Sequence, residues 1–208
     1  MSRVRTRATR GETIERLFRA AADVFEERGI GGASIEAIAA AAGLTRGAIY
    51  SNFADKDELI IAMLEDHARR SLQHHRALLA QNPDPAALLA ALDAAQRGRD
   101  DDPIGRAPLL HIELILYVAR TEQRRPQLAR RLRARRELMA EMVAGVRRAA
   151  KAKNVDATWA GAMLLAMEDG YRLHRLIDPK GTPEGSFMQA VAWLQRLIDK
   201  SGTQATRK

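Results

Sequence analysis

Leu44-Thr45-Arg46-Gly47-Ala48-Ile49-Tyr50-Ser51-Asn52-Phe53, with Lys56 and Leu59 close behind, is the stretch whose reading decides the fold. It predicts a short helix opened by a hydroxyl and a glycine, a tight turn, and the start of a longer helix. Just upstream, Ser34 stands where an N-cap accepts a bond from an orphan amide. Ile35, Ile38, Ala39 and Ala42 turn the helix after it inward. Gly43 ends that helix, Leu44 is the buried residue of the turn, and Thr45 caps the next. Two short helices meeting at a glycine-containing turn define a helix-turn-helix, whose second helix lies in a DNA major groove.

Each polar position in the unit has a physical reason. Ser34 and Thr45 put hydroxyls and free amides at positive helix ends, suited to phosphate. Arg46 can fork onto guanine. Gly47 removes a side chain and permits close approach to bases. Tyr50 reaches a phosphate while its ring packs. Ser51 and Asn52 are short polar groups able to touch backbone or a base edge, and Lys56 is placed for the phosphate chain. Ile49 and Phe53 face inward. The competing reading is an αα corner in a helical core, which apolar spacing alone does not exclude.

Working outward, Glu12 to Arg28 carries Ile14, Leu17, Phe18, Ala21, Ala22 and Phe25 at helical spacing. Gly29 sits where a left-handed cap belongs. Asp55, with Glu58 three residues on, opens a helix expected to run to about Gln81. Pro85, Pro108 and Pro126 suit the first turns of helices over 86–97, 109–120 and 126–153. Asp156 caps another helix through His174, and 186–200 is the last. No period-two strand or internal repeat is visible, so the expected class is all-α.

Composition agrees: the chain is 46% hydrophobic and 29% charged, with 4% aromatics and no cysteine. Ala, Leu and Arg favour helix. The absence of cysteine removes disulfides, thiolate metal sites and thiol nucleophiles. Met1 to Arg10 lacks the apolar stretch of a signal peptide, and no run reaches membrane-spanning length, so a cytoplasmic protein is expected, with no membrane partner. The net charge of +8 is unevenly placed. Residues 1–70 balance to 0, residues 71–119 to −2, residues 120–153 to +9 and residues 154–208 to +1. The positive excess therefore lies away from the helix-turn-helix.

The ordered pattern Phe25, Gly29, Ser34, Ile38, Ala39, Ala42, Gly43, Leu44, Thr45, Gly47, Tyr50, Phe53, Lys56 and Leu59 closely resembles the TetR family of bacterial transcriptional regulators. The resemblance covers roughly the first third of the chain. It implies a three-helix DNA-binding domain (residues 10–56, extending into the helix of about 55–81) and a six-helix ligand-binding and dimerisation domain (57–200). Residues 1–9 and 201–208 are expected as tails. It also implies a homodimer on palindromic operator DNA, repression relieved by a small-molecule effector, and no enzymatic activity. The family often has His or Tyr where this chain has Asn52.

A ligand cavity is expected between the later helices, with His111, Glu113, Tyr117, Met139, Met142, Trp159, Met163 and Met167 as candidate lining; ordinary core packing is the alternative for each. Glu113 is the most pointed candidate, because a carboxylate inside an apolar helix needs a partner such as Arg106 or Arg120. For the dimer, the family's last two helices imply Leu164, Leu165, Tyr171, Phe187, Ala190, Trp193, Leu194 and Leu197. Arg130, Arg131, Arg133, Arg135 and Arg136 have three readings: a solvated face, an anionic effector site, or a second nucleic-acid surface. Arg3, Arg5, Arg7 and Arg10 form either a minor-groove arm or a solvated tail. His67, His74 and His75 share a helix but lack a carboxylate at ligand spacing, so they are expected as surface histidines, with no metal or cofactor. An enzyme and a ligand-independent architectural DNA-coating protein are the rival classes. The first lacks a recognisable catalytic grouping. The second does not account for base-reading side chains concentrated on one helix.

Overall fold

The computed structural model describes residues 9–82, 84–95, 102–149, 156–183 and 185–193. They form α1 (Arg10–Gly32), α2 (Ile35–Ala41), α3 (Arg46–Tyr50), α4 (Lys56–Gln81), α5 (Pro85–Ala95), α6 (Pro108–Arg120), a 3-10 turn (Glu122–Arg124), α7 (Arg125–Ala149) and α8 (Ala157–Ile177). A further helical segment covers 186–193. No strand occurs among the described residues. No helix among them is long and apolar enough to cross a membrane. The expected extensions to Lys153 and Lys200, and the arginines at 3, 5 and 7, lie outside the described residues.

Local chemistry sets the helix ends. Thr9 and Glu12 cap α1 reciprocally, and the Thr9 amide and hydroxyl hold the Glu12 carboxyl below its usual range. α1 bends at Gly29, whose φ of 68° only glycine takes readily, and resumes for a last turn. Asp55 accepts from the Glu58 amide, whereas Glu58 reaches back to the Ala54 amide, one residue earlier than a capping box requires. Asp84 caps α5 at Ala87, and Asp156 caps α8 at Thr158 and Trp159.

The chain divides into two compact units: Met1–His67 with Asp100–Arg125, and Ala68–Arg99 with Pro126–Lys208. The first unit takes in α4 as far as His67 and also α6, which packs on α1 and was expected in the second domain. In the first unit Leu17, Phe25, Ile38, Ile49, Leu59, Ile60, Met63 and Leu64 are buried beside Ile104, Leu110, Leu114 and Val118. Polar contacts reinforce that packing. Arg106 pairs with Asp23 of α1, the Tyr117 hydroxyl donates to Asp57 at 2.8 Å, and Arg124 stands 3.6 Å from Asp55. His67 meets Asp102 at 2.7 Å, with both side chains buried.

The second unit has its own core of Leu88, Leu92, Leu138, Met142, Phe187 and Met188, with Leu72, Leu79, Met139 and Tyr171 packed against it. Gly161 sets how closely α8 approaches α7. A Cβ there would lie 2.6 Å from the Ala140 backbone nitrogen. Beside that crossing, buried Glu168 is held by Arg172 at 2.6 Å and Arg135 at 3.7 Å.

Candidate nucleic-acid interface

The helix-turn-helix is built from local capping and one tertiary clamp. The Ser34 hydroxyl accepts from the Ala37 amide at 3.1 Å, and the Thr45 hydroxyl from the Ala48 amide at 3.2 Å. Gly43, at φ 61°, turns the chain between the helices, and the Gly43 and Leu44 amides donate to Ala40 and Ala39. From α1, Arg16 donates to the Ala42 carbonyl at 2.6 Å, placing a cation on the negative end of α2. Beneath, Ile49 and Phe53 are buried, and the Phe53 ring stacks obliquely on Phe18 at 6.1 Å.

With its apolar side fixed, α3 turns Thr45, Arg46, Gly47 and Tyr50 to solvent. Arg46 Nε lies 3.0 Å from Glu36 Oε1, and its guanidinium carbon stands 5.3 Å from the centre of the Tyr50 ring. The bond to Tyr50, and then the negative charge of Glu36, hold the Arg46 pKa above its ordinary range. A Cβ added at Gly47 would meet nothing within 4 Å, and its φ is not positive, so neither packing nor backbone conformation in this chain calls for glycine there.

Three expected contacts take another form. Ser51 Oγ and Asn52 Nδ2 both donate to the Ala48 carbonyl, at 3.0 and 2.9 Å, so these side chains cap the end of α3. Lys56 is half-buried and donates to the carbonyls of Ile30 and Ala33. Its ammonium closes the end of α1. Glu36 carries no reading from the sequence; its spacing ten residues before Arg46 gives no local signal.

The eight cavity candidates divide between the two units. His111 and Tyr117 lie in the first unit, where the His111 ring meets His67 edge-on at 4.5 Å and Tyr117 binds Asp57. Glu113 is exposed, because the inward positions of α6 are Leu110, Leu114 and Val118. Arg106, its suggested partner, pairs with Asp23. Met139 and Met142 belong to the second unit's core. Trp159, Met163 and Met167 are exposed, at 64%, 43% and 44%.

The interface candidates also divide. Leu165 and Phe187 are buried, and Tyr171 packs on Phe187 with ring centres 6.0 Å apart. Leu164 and Ala190 are half-buried, Trp193 is 56% exposed, and Leu194 and Leu197 lie outside the described residues. The arginines singled out on α7 differ in their settings. Arg130, Arg133 and Arg136 are exposed, whereas Arg135 pairs with Asp169 and Glu168. His67 is buried and bonded to Asp102, contrary to its reading as a surface residue.

Comparison with known proteins points the same way as the geometry. A family model described as bacterial regulatory proteins, tetR family, matches residues 17–63. The HTH-type transcriptional repressor BepR of Brucella suis biovar 1 (strain 1330) is 43% identical over 60 residues, 29% of this chain. The chain spans only 29% of BepR's own length in that match. The HTH-type transcriptional regulator CymR of Pseudomonas putida is 31% identical over 144 residues, covering 68% of this chain and 69% of CymR. The solved structure of the fatty acid degradation regulator FadR from Bacillus halodurans is similar in fold, with a TM-score of 0.71 at 18% identity over 92% of this chain and 97% of that one.

Proposed function

The chain belongs to the TetR family of bacterial regulatory proteins, and from that premise we propose that it is a DNA-binding transcriptional repressor, released from a palindromic operator by a small molecule. The observation that carries the DNA reading is the exposed, rigidly backed face of α3. Thr45, Arg46, Gly47 and Tyr50 stand outward on a helix whose other side is locked by Ile49. Glycine within a helix costs roughly 0.5–1 kcal/mol relative to alanine. At Gly47 nothing among the described residues requires that cost, and the close approach of a duplex would account for it.

Charge constrains the mode of binding. The first unit holds thirteen Lys and Arg against sixteen Asp and Glu, and is net −3. The second unit is net +11. Affinity for operator therefore depends on placed groups more than on a general cationic surface. A two-fold dimer supplies the second reading helix, about 34–36 Å away along one DNA turn. The face of α8 bearing Trp159, Met163, Met167 and Ile177 is apolar and exposed, and it fits the two-fold contact better than a cavity wall.

The effector's influence runs along α4, one continuous helix that begins beside α3 and passes from the first unit into the second between His67 and Ala68. A coupling of about 1–3 kcal/mol would lower operator affinity roughly 5–150-fold. The test is selection of duplexes from a random-sequence pool by the purified protein, followed by binding measurements on the enriched sequences. A palindromic consensus bound at least about a thousandfold more tightly than random DNA is expected. Uniform binding to all duplexes would favour an architectural role, and no binding would end the DNA reading.

A further inference from the structure

We infer that Glu36 is a positioning residue that gives Arg46 its discrimination between bases, an inference that rests on the proposed reading of α3 as a DNA-reading helix. Glu36 lies in the first turn of α2, and its carboxylate oxygen forms an ion pair with Arg46, 3.0 Å from Nε. The guanidinium also lies over the Tyr50 ring, with 5.3 Å from its carbon to the ring centre. Both partners of the ion pair are well exposed, at 66% and 50% of their side chains, so the pair does not neutralise a buried charge. Exposed pairs of this kind add little to stability.

What the arrangement does provide is orientation. A guanidinium is a rigid plane with five N–H donors. Once the guanidinium is paired with a carboxylate and bonded to Tyr50, its orientation is set, and the N–H groups that neither takes remain for a third partner. Two parallel N–H groups are what the O6 and N7 atoms of guanine accept in the major groove. An arginine held in this way loses less freedom on binding than one that must be ordered from solution. The cost is a carboxylate next to the DNA surface, which repels phosphates whatever the sequence. Glu36 thereby weakens binding to all duplexes and favours those in which Arg46 finds its base.

The experiment uses full-length protein, duplexes enriched by selection, and random duplexes of equal length, compared by fluorescence anisotropy at one salt concentration. Glu36→Gln should lower the operator-to-random ratio about three- to tenfold, the effect of freeing one side chain that must then be ordered. Its affinity for random DNA should stay level or rise. Glu36→Asp should recover part of the ratio. In the Arg46→Ala background, Glu36→Gln should have no further effect on the ratio, because the two residues act as one unit. An unchanged ratio in Glu36→Gln, or full additivity with Arg46→Ala, would overturn the inference while leaving operator binding intact. Failure of the wild type to enrich any duplex would remove the underlying DNA reading as well. A role in folding alone would lower the melting temperature and leave the ratio unmoved, which also counts against the assignment.

Discussion

Lys56 Nζ donates to the Ile30 carbonyl at 2.7 Å, and a second bond reaches the Ala33 carbonyl at 3.1 Å. The lysine at the start of α4 thus closes the last turn of α1 and the entry to α2. A cation in that position answers carbonyls that have no helical partner. Lys56→Met should cost about 1–2 kcal/mol of folding stability, as expected for charge-assisted hydrogen bonds at a half-buried site. Urea unfolding measures that loss. In parallel, the salt dependence of binding to random DNA should keep its slope. A contact to one phosphate per protomer would reduce the slope by roughly 0.9 for each lysine removed, and such a reduction would restore the phosphate role.

Gly47 separates stability from function in the opposite sense. The space around its Cα is open. Gly47→Ala should therefore stabilise α3 by about 0.5–1 kcal/mol, through the conformational freedom that glycine loses on folding. The same methyl should weaken operator binding by tenfold or more if the duplex approaches this backbone closely. Thermal unfolding and operator titration on one preparation give both values. A variant that is more stable and binds normally would show that α3 does not approach DNA through this residue.

The bond between Tyr117 and Asp57 ties α6 to α4 within the first unit and makes a prediction about pH. Donation to Asp57 is the largest influence on the Tyr117 hydroxyl, followed by burial and by the charges of Asp57 and Asp55, and all raise its pKa above the ordinary 10.0. A pKa raised on folding means the stability it carries is complete below the unfolded value. That stability is lost as pH climbs through the folded value. Wild type should therefore lose stability relative to Tyr117→Phe only above about pH 10. Phenolate absorbance should show one late-titrating tyrosine that disappears in Tyr117→Phe. A difference between the two proteins that is flat across this range would count against the bond.

The parts of this molecule that were readable in its sequence are those whose physics is local. Gly43, the Thr45 cap and the inward positions Ile49 and Phe53 follow from spacing over a few residues, and all appear in the structure as expected. The bonds of Lys56 to Ile30 and Ala33 were not legible because those acceptors lie 26 and 23 residues away, where chain spacing carries no information. His67 was misread for the same reason: Asp102 arrives from 35 residues downstream. The α8 stripe shows a different limit. Trp159, Met163 and Met167 recur at helical spacing, which identifies an apolar face but not whether the same chain or another copy covers it.

That face gives a prediction of its own. Trp159, Met163, Met167 and Ile177 are exposed on the side of α8 opposite Gly161, Leu165 and Glu168, which are buried. Met163→Lys combined with Met167→Lys places two charges on the outer face without touching the inner one. The double variant should sediment as a folded monomer with unchanged helical circular dichroism. Its operator affinity should fall steeply, because one reading helix remains where two bound together. A dimer that persists in the double variant would move the two-fold contact elsewhere.

Asp102 is a buried carboxyl group held from more than one direction. It is 2% exposed, yet it meets His67 through one oxygen and receives the amides of Ile104 and Gly105 on the other, each at 3.1 Å. The carboxylate therefore folds its own turn and fastens that turn to α4 at His67, the last residue of the first unit on that helix. Removing one member of a buried pair costs more than the pair contributes, because the other is left without compensation. Asp102→Ala should accordingly destabilise the protein by about 3–5 kcal/mol. Asp102→Asn keeps one acceptor oxygen and should cost clearly less. His67→Phe should cost less than Asp102→Ala, since the two amides still hold the carboxylate. Equal losses for all three variants in denaturant unfolding would mean that the amide contacts contribute nothing and that His67 alone holds the turn.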